Sequence, residues 1–274
     1  ILAAAKMSEF EELVKKAVVD AKGDLSLALD LVFVNFGEAI LDIVPGRVST
    51  EVDARLSFDV KKSVEKARRF IREYQSRGIP RERVLIKLAS TWEGALAAKE
   101  LEKEGIHCNM TLLFSLEQAA LCAEARATLI SPFVGRILDW YKKAENKESY
   151  PAEKDPGVLS VQEIYAYYKT HGYPTEIMGA SFRNKEEVLE LAGCDLLTIS
   201  PKLLAELEQG VGQVTRKLSP DKSRCEQPKK VLTESAFRFA FNENPMAVEK
   251  LSEGIRKFSA DIRTLEAYLK KMGS

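Results

Sequence analysis

Short apolar runs alternate with segments of helical periodicity along most of the chain. This alternation is typical of repeated strand–helix units around a parallel sheet, and it predicts the α/β class. The predicted strands are residues 47–53, 83–89, 106–112, 128–133, 175–181 and 196–200.

Helices are predicted between these strands and ahead of the first one. Residues 59–77 carry apolar side chains at helical spacing, and Gly78 and Pro80 end the pattern. Residues 8–21 and 25–44 also have the length of helices, although the LVFVNF run in the second segment can form a strand. We therefore expect two helices before the first strand.

Local sequence marks the starts of three further helices. Ser115 with Gln118, and Ser160 with Glu163, have the spacing of a capping box, in which each side chain accepts a backbone N–H of the first turn. Asn184 is the expected cap of the third helix.

Three segments depart from the alternating pattern. Residues 139–159 are polar and predict a long connection that shapes a site, and residues 209–233 predict a surface excursion. Asn244 and Pro245 open the last predicted helix. Its apolar stripe can pack on the domain or on a partner subunit, and it consists of Val248, Leu251, Ile255, Phe258, Ile262, Leu265 and Leu269.

Lys87 stands in an otherwise apolar strand, although burying an unpaired charge costs several kcal/mol. Alternate residues of a strand point to opposite faces. Lys87 therefore shares a face with Leu85 and Ala89, and the bulky aliphatic residues of this strand occupy the other face.

The strands on either side divide in the same way. Their polar face comprises Arg47, Ser49, Glu51, Asp53, His107, Asn109 and Thr111. Their other face comprises Val48, Thr50, Val52, Ile106, Cys108, Met110 and Leu112. An open doubly wound sheet is apolar on both faces, whereas a barrel can gather polar groups inside its C-terminal mouth. The pattern therefore favours a closed barrel.

Composition narrows the class of partner. The chain has 274 residues, and its 41 Lys and Arg balance its 41 Asp and Glu. The net charge is therefore zero, and the chain has no overall electrostatic attraction to nucleic acid or to an anionic membrane. The four cysteines include no CxxC pair, and no apolar run has the length of a membrane span or the form of a secretory signal. We expect reduced thiols and a cytoplasmic protein.

Lys87 by itself is typical of a lysine that extends to solvent or protects a sheet edge. Its predicted neighbours Glu51, Asn109 and Thr111 change this interpretation, because an amine in a sheltered polar interior can act as a nucleophile. We therefore expect Lys87 to be reactive.

Arg136 and Arg183 follow predicted strand ends, in SPFVGR and GASFR. Two guanidinium groups at a barrel mouth suit a phosphate, although either one alone can equally form a surface ion pair. Together with Lys87, they indicate a phosphorylated carbonyl substrate.

Six segments resemble those of one enzyme family, and they are GRVSTEVDAR, VLIKLASTWEG, HCNMTLLFS, LISPFVGRILDW, MGASFRN and LTISPKLL. In order and spacing they are similar to the classical larger transaldolases, from the first residues to the last helix. The resemblance implies a (β/α)8 TIM barrel of the class I aldolase type. It also implies transfer of a dihydroxyacetone unit in the pentose phosphate pathway, without cofactor or metal. The donors would be sedoheptulose 7-phosphate or fructose 6-phosphate, and the acceptors erythrose 4-phosphate or glyceraldehyde 3-phosphate.

The resemblance also implies roles for individual residues. Lys87 matches the Schiff-base lysine, and Glu51 and Thr111 match positions that hold a catalytic water for proton transfer. The substrate-binding positions are matched by Asn109 and Ser131 for the three-carbon unit, by Arg136, Ser181 and Arg183 for the phosphate, and by Phe133 for an aromatic wall beside it.

The chain departs from the family pattern at its start. Transaldolases have two earlier barrel strands, one with an acid/base Asp and one with a Thr-Asn-Pro segment, and Ile1 corresponds to the residue just after the latter. We therefore expect a single catalytic domain with six of eight strands and with C-terminal helices in residues 234–272. We also expect the chain as written to be inactive or nearly so, which an N-terminally extended chain would test.

Alternatives remain open at this level. Another Schiff-base aldolase on the same barrel would cleave without transfer, and a shortened chain can be an inactive sugar-phosphate-binding form. Other chemistries have little support, because Gly210 and Gly212 lack the third glycine of a dinucleotide loop. His171 is better explained as a helix-end cap, and His107 as a packed polar residue. A homodimer through the last helix is possible.

Overall fold

The structure is a computed structural model that describes residues 2–273. Within these residues, six parallel strands form one curved sheet in the order in which they occur in the chain. The strands are β1 (Val48–Glu51), β2 (Val84–Ala89), β3 (Cys108–Leu113), β4 (Leu129–Pro132), β5 (Glu176–Gly179) and β6 (Leu196–Leu197). The predicted α/β class and all six predicted strands are confirmed, and each strand is shorter than predicted or starts later.

Helices connect the strands and precede the first one. They are α1 (Glu11–Asp20), α2 (Leu25–Leu41), α3 (Val60–Ser76), α4 (Trp92–Lys103), α5 (Leu116–Glu124), α6 (Val134–Ala144), α7 (Pro156–His171), α8 (Lys185–Glu190), α9 (Pro201–Glu208), α10 (Glu234–Asn242) and α11 (Pro245–Met272). The LVFVNF run is therefore helical, within α2. Across residues 2–273, none of the helices combines the length and the apolar character needed to cross a lipid bilayer.

The outer face of the sheet is the main apolar core, as the alternation of side chains predicts. Val48, Ile86 and Met110 are buried there against helices α3, α4, α5 and α7. Thr50 is the polar member of this face, and its hydroxyl lies 2.6 Å from the buried hydroxyl of Tyr74 on α3. Packing against the helices thus leaves the other face of the sheet for polar groups.

Leu112 corrects one prediction about the faces. It was expected on the outer face with Cys108 and Met110, but the pairing of β3 with β4 shifts register between Met110 and Leu113. Leu112 has a positive φ of 53° at this irregularity, and its side chain packs against Gly254 of α11. The bulge thereby turns an apolar side chain toward the C-terminal helix, where it joins a cluster with Phe114 and Phe133.

Two of the three predicted helix starts are confirmed. Ser115 accepts the N–H of Gln118, and Asn184 accepts the N–H of Glu187. The cap predicted at Ser160 is wrong, because the cap of α7 lies five residues earlier, at Asp155, which accepts backbone N–H groups ahead of Pro156. An Asp followed by Pro is the stronger start signal, since the proline ring suits the first helical position.

The polar connection predicted for residues 139–159 is also shorter than expected. Helix α6 continues to Ala144 and α7 begins at Pro156, so the irregular segment is limited to residues 145–155. The predicted surface excursion is confirmed, since no helix or strand is found between Glu208 and Glu234.

Helix α11 spans two parts of the molecule. Near its start, Met246 and Leu251 pack in the cluster of Leu112. Near its end, Leu265 and Leu269 are buried against α1 and α2. Much of its apolar stripe is therefore covered by this same chain.

Candidate active site

Three adjacent strands place Glu51, Lys87 and Asn109 in one row across the inner face of the sheet. Glu51 of β1 is in register with Lys87 of β2, which is in register with Asn109 of β3. Neighbouring strands lie about 4.8 Å apart, and residues in register on parallel strands point to the same face. The structure therefore brings together the side chains that the sequence pattern places on one face.

Lys87 is the central member of this row. Its side chain is partly buried beside the buried Leu85. In the part of the chain that the structure describes, its amine makes no hydrogen bond and no ion pair. Because no carboxylate holds the amine, it is free to approach the carbonyl carbon of a ligand.

Glu51 lies next to Lys87, and the charge of Lys87 affects the pKa of the Glu51 carboxyl. Burial raises the pKa of the Glu51 carboxyl, and the positive charges of Lys87 and Arg136 act in the opposite direction. A cavity of about 240 Å³ adjoins Glu51, and Phe33, Phe258 and other apolar side chains line most of it. Glu51 can therefore exchange a proton closer to neutral pH than an exposed glutamate can.

Asn109 is held at both ends of its amide. Its Oδ1 accepts from the Ser131 hydroxyl at 2.7 Å, and its Nδ2 donates to Ser49 Oγ at 3.0 Å. Thr111, two residues farther along β3, is fully buried, and its hydroxyl has no hydrogen-bond partner among residues 2–273. The strand thus presents one oriented amide and one unpartnered hydroxyl close to Lys87.

Arg136, in the first turn of α6, lies above an aromatic ring. Its guanidinium carbon is 4.6 Å from the ring centroid of Phe133, which immediately precedes this helix, and 5.6 Å from that of Phe258. Burial and then the charge of Arg183 lower the pKa of Arg136. Two neighbouring guanidinium groups at the N-terminal end of a helix form an environment that an anion stabilises.

Residues 181–183 form a bend directly after β5. Ser181 has a φ of 65°, in the left-handed region that serine rarely adopts. Its carbonyl accepts from the N–H of Gly135 at 3.2 Å and from Arg183 Nη1 at 2.9 Å. These bonds tie the bend to the first turn of α6, and so Ser181, Arg183 and Arg136 lie at one edge of the sheet.

Asp139 joins this edge, although sequence analysis did not single it out. Its carboxylate accepts from Arg183 Nη2 at 2.7 Å, and both side chains are partly exposed. An exposed ion pair contributes little to stability, so a phosphate can replace Asp139 on Arg183. The only signal in the sequence is helical spacing from Arg136, which is too common to predict a contact with Arg183.

Gly135 is a second residue that sequence analysis missed. A Cβ atom at this position would lie 2.4 Å from the Ser181 carbonyl oxygen and 2.6 Å from Arg183 Cγ. Only glycine therefore lets α6 approach the 181–183 bend.

We predict that Gly135→Ala lowers the free energy of unfolding by about 1–3 kcal/mol and weakens the binding of inorganic phosphate, because the bend must move away. Urea unfolding and ligand titration measure the two effects. Gly46→Ala is the matched control, since a Cβ there meets nothing within 4 Å. A Gly135→Ala chain that matches this control in both measurements would contradict the assignment.

His107 lies apart from the row, and its predicted place on the polar inner face is wrong. Strand β3 begins at Cys108, and His107 Nδ1 lies 2.9 Å from Thr128 Oγ1 and 3.2 Å from Glu102 Oε2. Its interpretation as a packed polar residue is confirmed. Among residues 2–273, no group of three or more His, Cys, Asp or Glu side chains is placed to hold a metal ion.

The chain is similar to proteins of one family over nearly its whole length. A family model described as Transaldolase/Fructose-6-phosphate aldolase matches residues 1–269. A transaldolase of Protochlamydia amoebophila is 58% identical over 277 residues, covering 98% of this chain and 86% of the relative. A probable transaldolase of Dictyostelium discoideum is 60% identical over 94% of this chain and 81% of its own length. A transaldolase of Thermosynechococcus vestitus is 55% identical over 99% of this chain and 72% of its own length.

Proposed function

The chain belongs to the transaldolase/fructose-6-phosphate aldolase family and functions as a transaldolase, which is a transferase, and we propose that Lys87 performs this reaction through a Schiff base. The observation that carries the proposal is the row of Glu51, Lys87 and Asn109, in which the amine is partly buried and has no carboxylate partner. A transaldolase needs such an amine at a place where an acid and a polar amide can reach the same ligand.

The proposed reaction begins with attack of the Lys87 amine on the C2 ketone of the donor sugar. The nitrogen–carbon bond forms, the carbonyl oxygen leaves as water, and the resulting iminium withdraws electrons from the C3–C4 bond. Loss of the proton of the C4 hydroxyl and cleavage of the C3–C4 bond release an aldose phosphate, and the bound three-carbon enamine then attacks the aldehyde of an acceptor, whose oxygen takes up a proton. Hydrolysis of the new iminium returns the free amine, so atoms and charge balance without an added oxidant or reductant.

Glu51 and Thr111 are proposed to handle the protons. The raised pKa of Glu51 supports this role, because an acid that exchanges protons nearer neutrality serves both the loss of water and its return. The unpartnered hydroxyl of Thr111 supports it as well, since that hydroxyl is free to hold a water molecule beside the reacting carbon.

Substrate binding is proposed to divide between two groups of residues. Asn109 and Ser131 contact the hydroxyls of the three-carbon unit, which their mutual hydrogen bond supports. The phosphate is bound by Arg136, Ser181 and Arg183, with Phe133 as the wall beneath Arg136. Binding of the phosphate far from the reacting carbon fixes C2 next to Lys87.

The finer assignments are proposals as well. Within residues 2–273, β1 and β6 each pair with a single strand, and we propose that the six strands are part of a (β/α)8 barrel. We also propose that the donors are sedoheptulose 7-phosphate and fructose 6-phosphate, in the pentose phosphate pathway. The four cysteines are unpaired, which supports a cytoplasmic location.

Acceptor dependence tests transfer against simple cleavage. With fructose 6-phosphate alone, we expect slow release of glyceraldehyde 3-phosphate, and addition of erythrose 4-phosphate should accelerate it many-fold while sedoheptulose 7-phosphate accumulates. A coupled assay of both products measures this. Equal release with and without the acceptor would instead indicate an aldolase, the second activity in the description of the matching family.

A further inference from the structure

Two buried carboxyl groups lie behind the proposed phosphate site, and the proposed mechanism uses neither. Glu187 of α8 is fully buried, and Asp155, the cap of α7, is 2% exposed. Acidic side chains are almost never buried to this extent unless they are paired, because water solvates a charge far better than a protein interior does. Their burial therefore needs a structural explanation.

Glu187 is bonded directly to the phosphate-site bend. Its Oε2 accepts the backbone N–H of Arg183 at 2.6 Å, and its own N–H donates to Asn184 Oδ1 at 2.9 Å. This carboxyl is therefore the group that holds the backbone between the Ser181 hydroxyl and the Arg183 guanidinium. No other side chain among residues 2–273 accepts this N–H.

The other oxygen of Glu187 faces a second acid. Glu187 Oε1 is buried, and no N–H or hydroxyl of the described residues donates to it. The neighbouring acid is Asp155, whose negative charge raises the pKa of Glu187, and Asp155 Oδ1 accepts from the N–H groups of Gly157 at 2.7 Å and Val158 at 3.4 Å. Because two carboxylates cannot hydrogen-bond to each other, a hydrogen bond between these two groups requires one proton.

That proton belongs to Glu187. Burial raises the pKa of Asp155, and the helix N–H groups that its carboxylate accepts act in the opposite direction, whereas burial, together with the negative charge of Asp155, raises the pKa of Glu187 to about 7. Two other charged residues, Asp139 of α6 and Arg183, lie near Glu187 and Asp155. Lys142 and Glu186 line a surface pocket beside Asp155. Around neutral pH, Glu187 is therefore divided between its protonated and ionised forms.

We propose that Glu187 is a positioning residue for the phosphate site: by sharing a proton with Asp155, its carboxyl fixes the Arg183 backbone and with it the Ser181 hydroxyl and the Arg183 guanidinium. This inference rests on the proposed function, in which residues 181–183 bind the substrate phosphate. Ionisation of Glu187 sets two buried carboxylates against each other, which loosens the bend and adds negative charge behind the phosphate. Phosphate affinity therefore falls as the pH rises past the Glu187 pKa.

Glu187→Gln and Glu187→Ala test the proposal in the full chain. In Glu187→Gln the amide oxygen still accepts from Arg183 and the amide nitrogen donates to Asp155, so this variant imitates the protonated form at every pH. Glu187→Ala removes the support. Borohydride trapping on Lys87 gives the half-saturating concentration of fructose 6-phosphate, and unphosphorylated dihydroxyacetone is the matched probe.

Glu187→Ala should raise the half-saturating concentration of fructose 6-phosphate about 10- to 100-fold, as expected for loss of a hydrogen bond to a charged or proton-sharing group. The value for dihydroxyacetone should stay unchanged. Below the Glu187 pKa the parent chain and Glu187→Gln should agree, and above it the parent should require several-fold more fructose 6-phosphate than Glu187→Gln. Taking the ratio of the two chains at each pH cancels the titration of the sugar phosphate itself.

Equal losses for both probes in Glu187→Ala, or a parent-to-Gln ratio that does not change with pH, would overturn the proposal. If Glu187→Ala does not fold, Asp155→Asn is the second test. Its amide can donate to an ionised Glu187, so its ratio to Glu187→Gln should also stay flat across neutral pH. Failure of the proposed function is distinguishable, because the parent chain would then form no adduct on Lys87 with either probe.

Discussion

Replacement of Lys87 by Met should abolish the transfer reaction, with a loss of about 10⁴- to 10⁶-fold, the range found when a covalent nucleophile is removed. Methionine has a similar length but no amine, so no iminium can form and the C3–C4 bond keeps its electrons. The folded chain should be as stable as the parent or more stable, because a partly buried charge without an ion-pair partner is replaced by an apolar group. Transfer assays and urea unfolding measure the two effects.

Two further variants make the Lys87 test specific. Lys87→Arg keeps the positive charge in a group that is never deprotonated, and it should be as inactive as Lys87→Met. Lys61→Met, at an exposed position on α3, is the matched control and should retain full activity. Substantial activity in Lys87→Arg would show that the charge of residue 87, rather than its nucleophilicity, is what the reaction requires.

Glu51→Gln should lower the transfer rate by about 10²- to 10⁴-fold, the usual contribution of a general acid or base. The amide keeps the shape of the side chain beside Lys87 but cannot exchange a proton. In the parent chain the rate should fall on the acidic side of its pH profile. The midpoint should lie above the usual pKa of a glutamate, because burial raises the pKa of Glu51.

The pH profile of Glu51→Gln separates a proton-transfer role from a purely structural one. The acidic limb of the parent profile should be absent from the residual activity of Glu51→Gln. Glu65→Gln, an exposed position on α3, is the matched control and should reproduce the parent profile. An acidic limb that persists unchanged in Glu51→Gln would assign that ionisation to another group.

The strands and the row of Glu51, Lys87 and Asn109 could be predicted because they depend on short-range rules. Parallel strands that follow one another in the chain are neighbours in the sheet. Alternation along each strand then assigns every side chain to a face. Only approximate strand limits were needed, since the parity of a residue does not change when a strand is shortened.

The parts that sequence analysis missed depend on contacts between distant segments. Leu112 leaves its predicted face because the bulge after Met110 is set by packing of β3 with β4 and with α11. Asp139 meets Arg183 across 44 positions of sequence, and Gly135 is needed only because the bend at Ser181 packs on it. No local pattern contains this information.

The burial of Glu187 also depends on contacts between distant segments, and the sequence alone does not indicate it. In the sequence it is one acidic residue in the first turn of a predicted helix, where exposed acids are common. Its burial and its contact with Asp155 arise only when α8 packs beside the start of α7. The burial of Glu187 therefore could not be predicted before the structure was known.

Peptide mapping after borohydride reduction tests the central claim most directly. The chain is incubated with fructose 6-phosphate, reduced, digested and analysed by mass spectrometry. A reduced three-carbon unit is expected on Lys87 alone, with the tryptic site after this lysine blocked, and Lys87→Met should carry none. An adduct on a different lysine, or unmodified Lys87 under conditions in which the chain transfers dihydroxyacetone, would contradict the account.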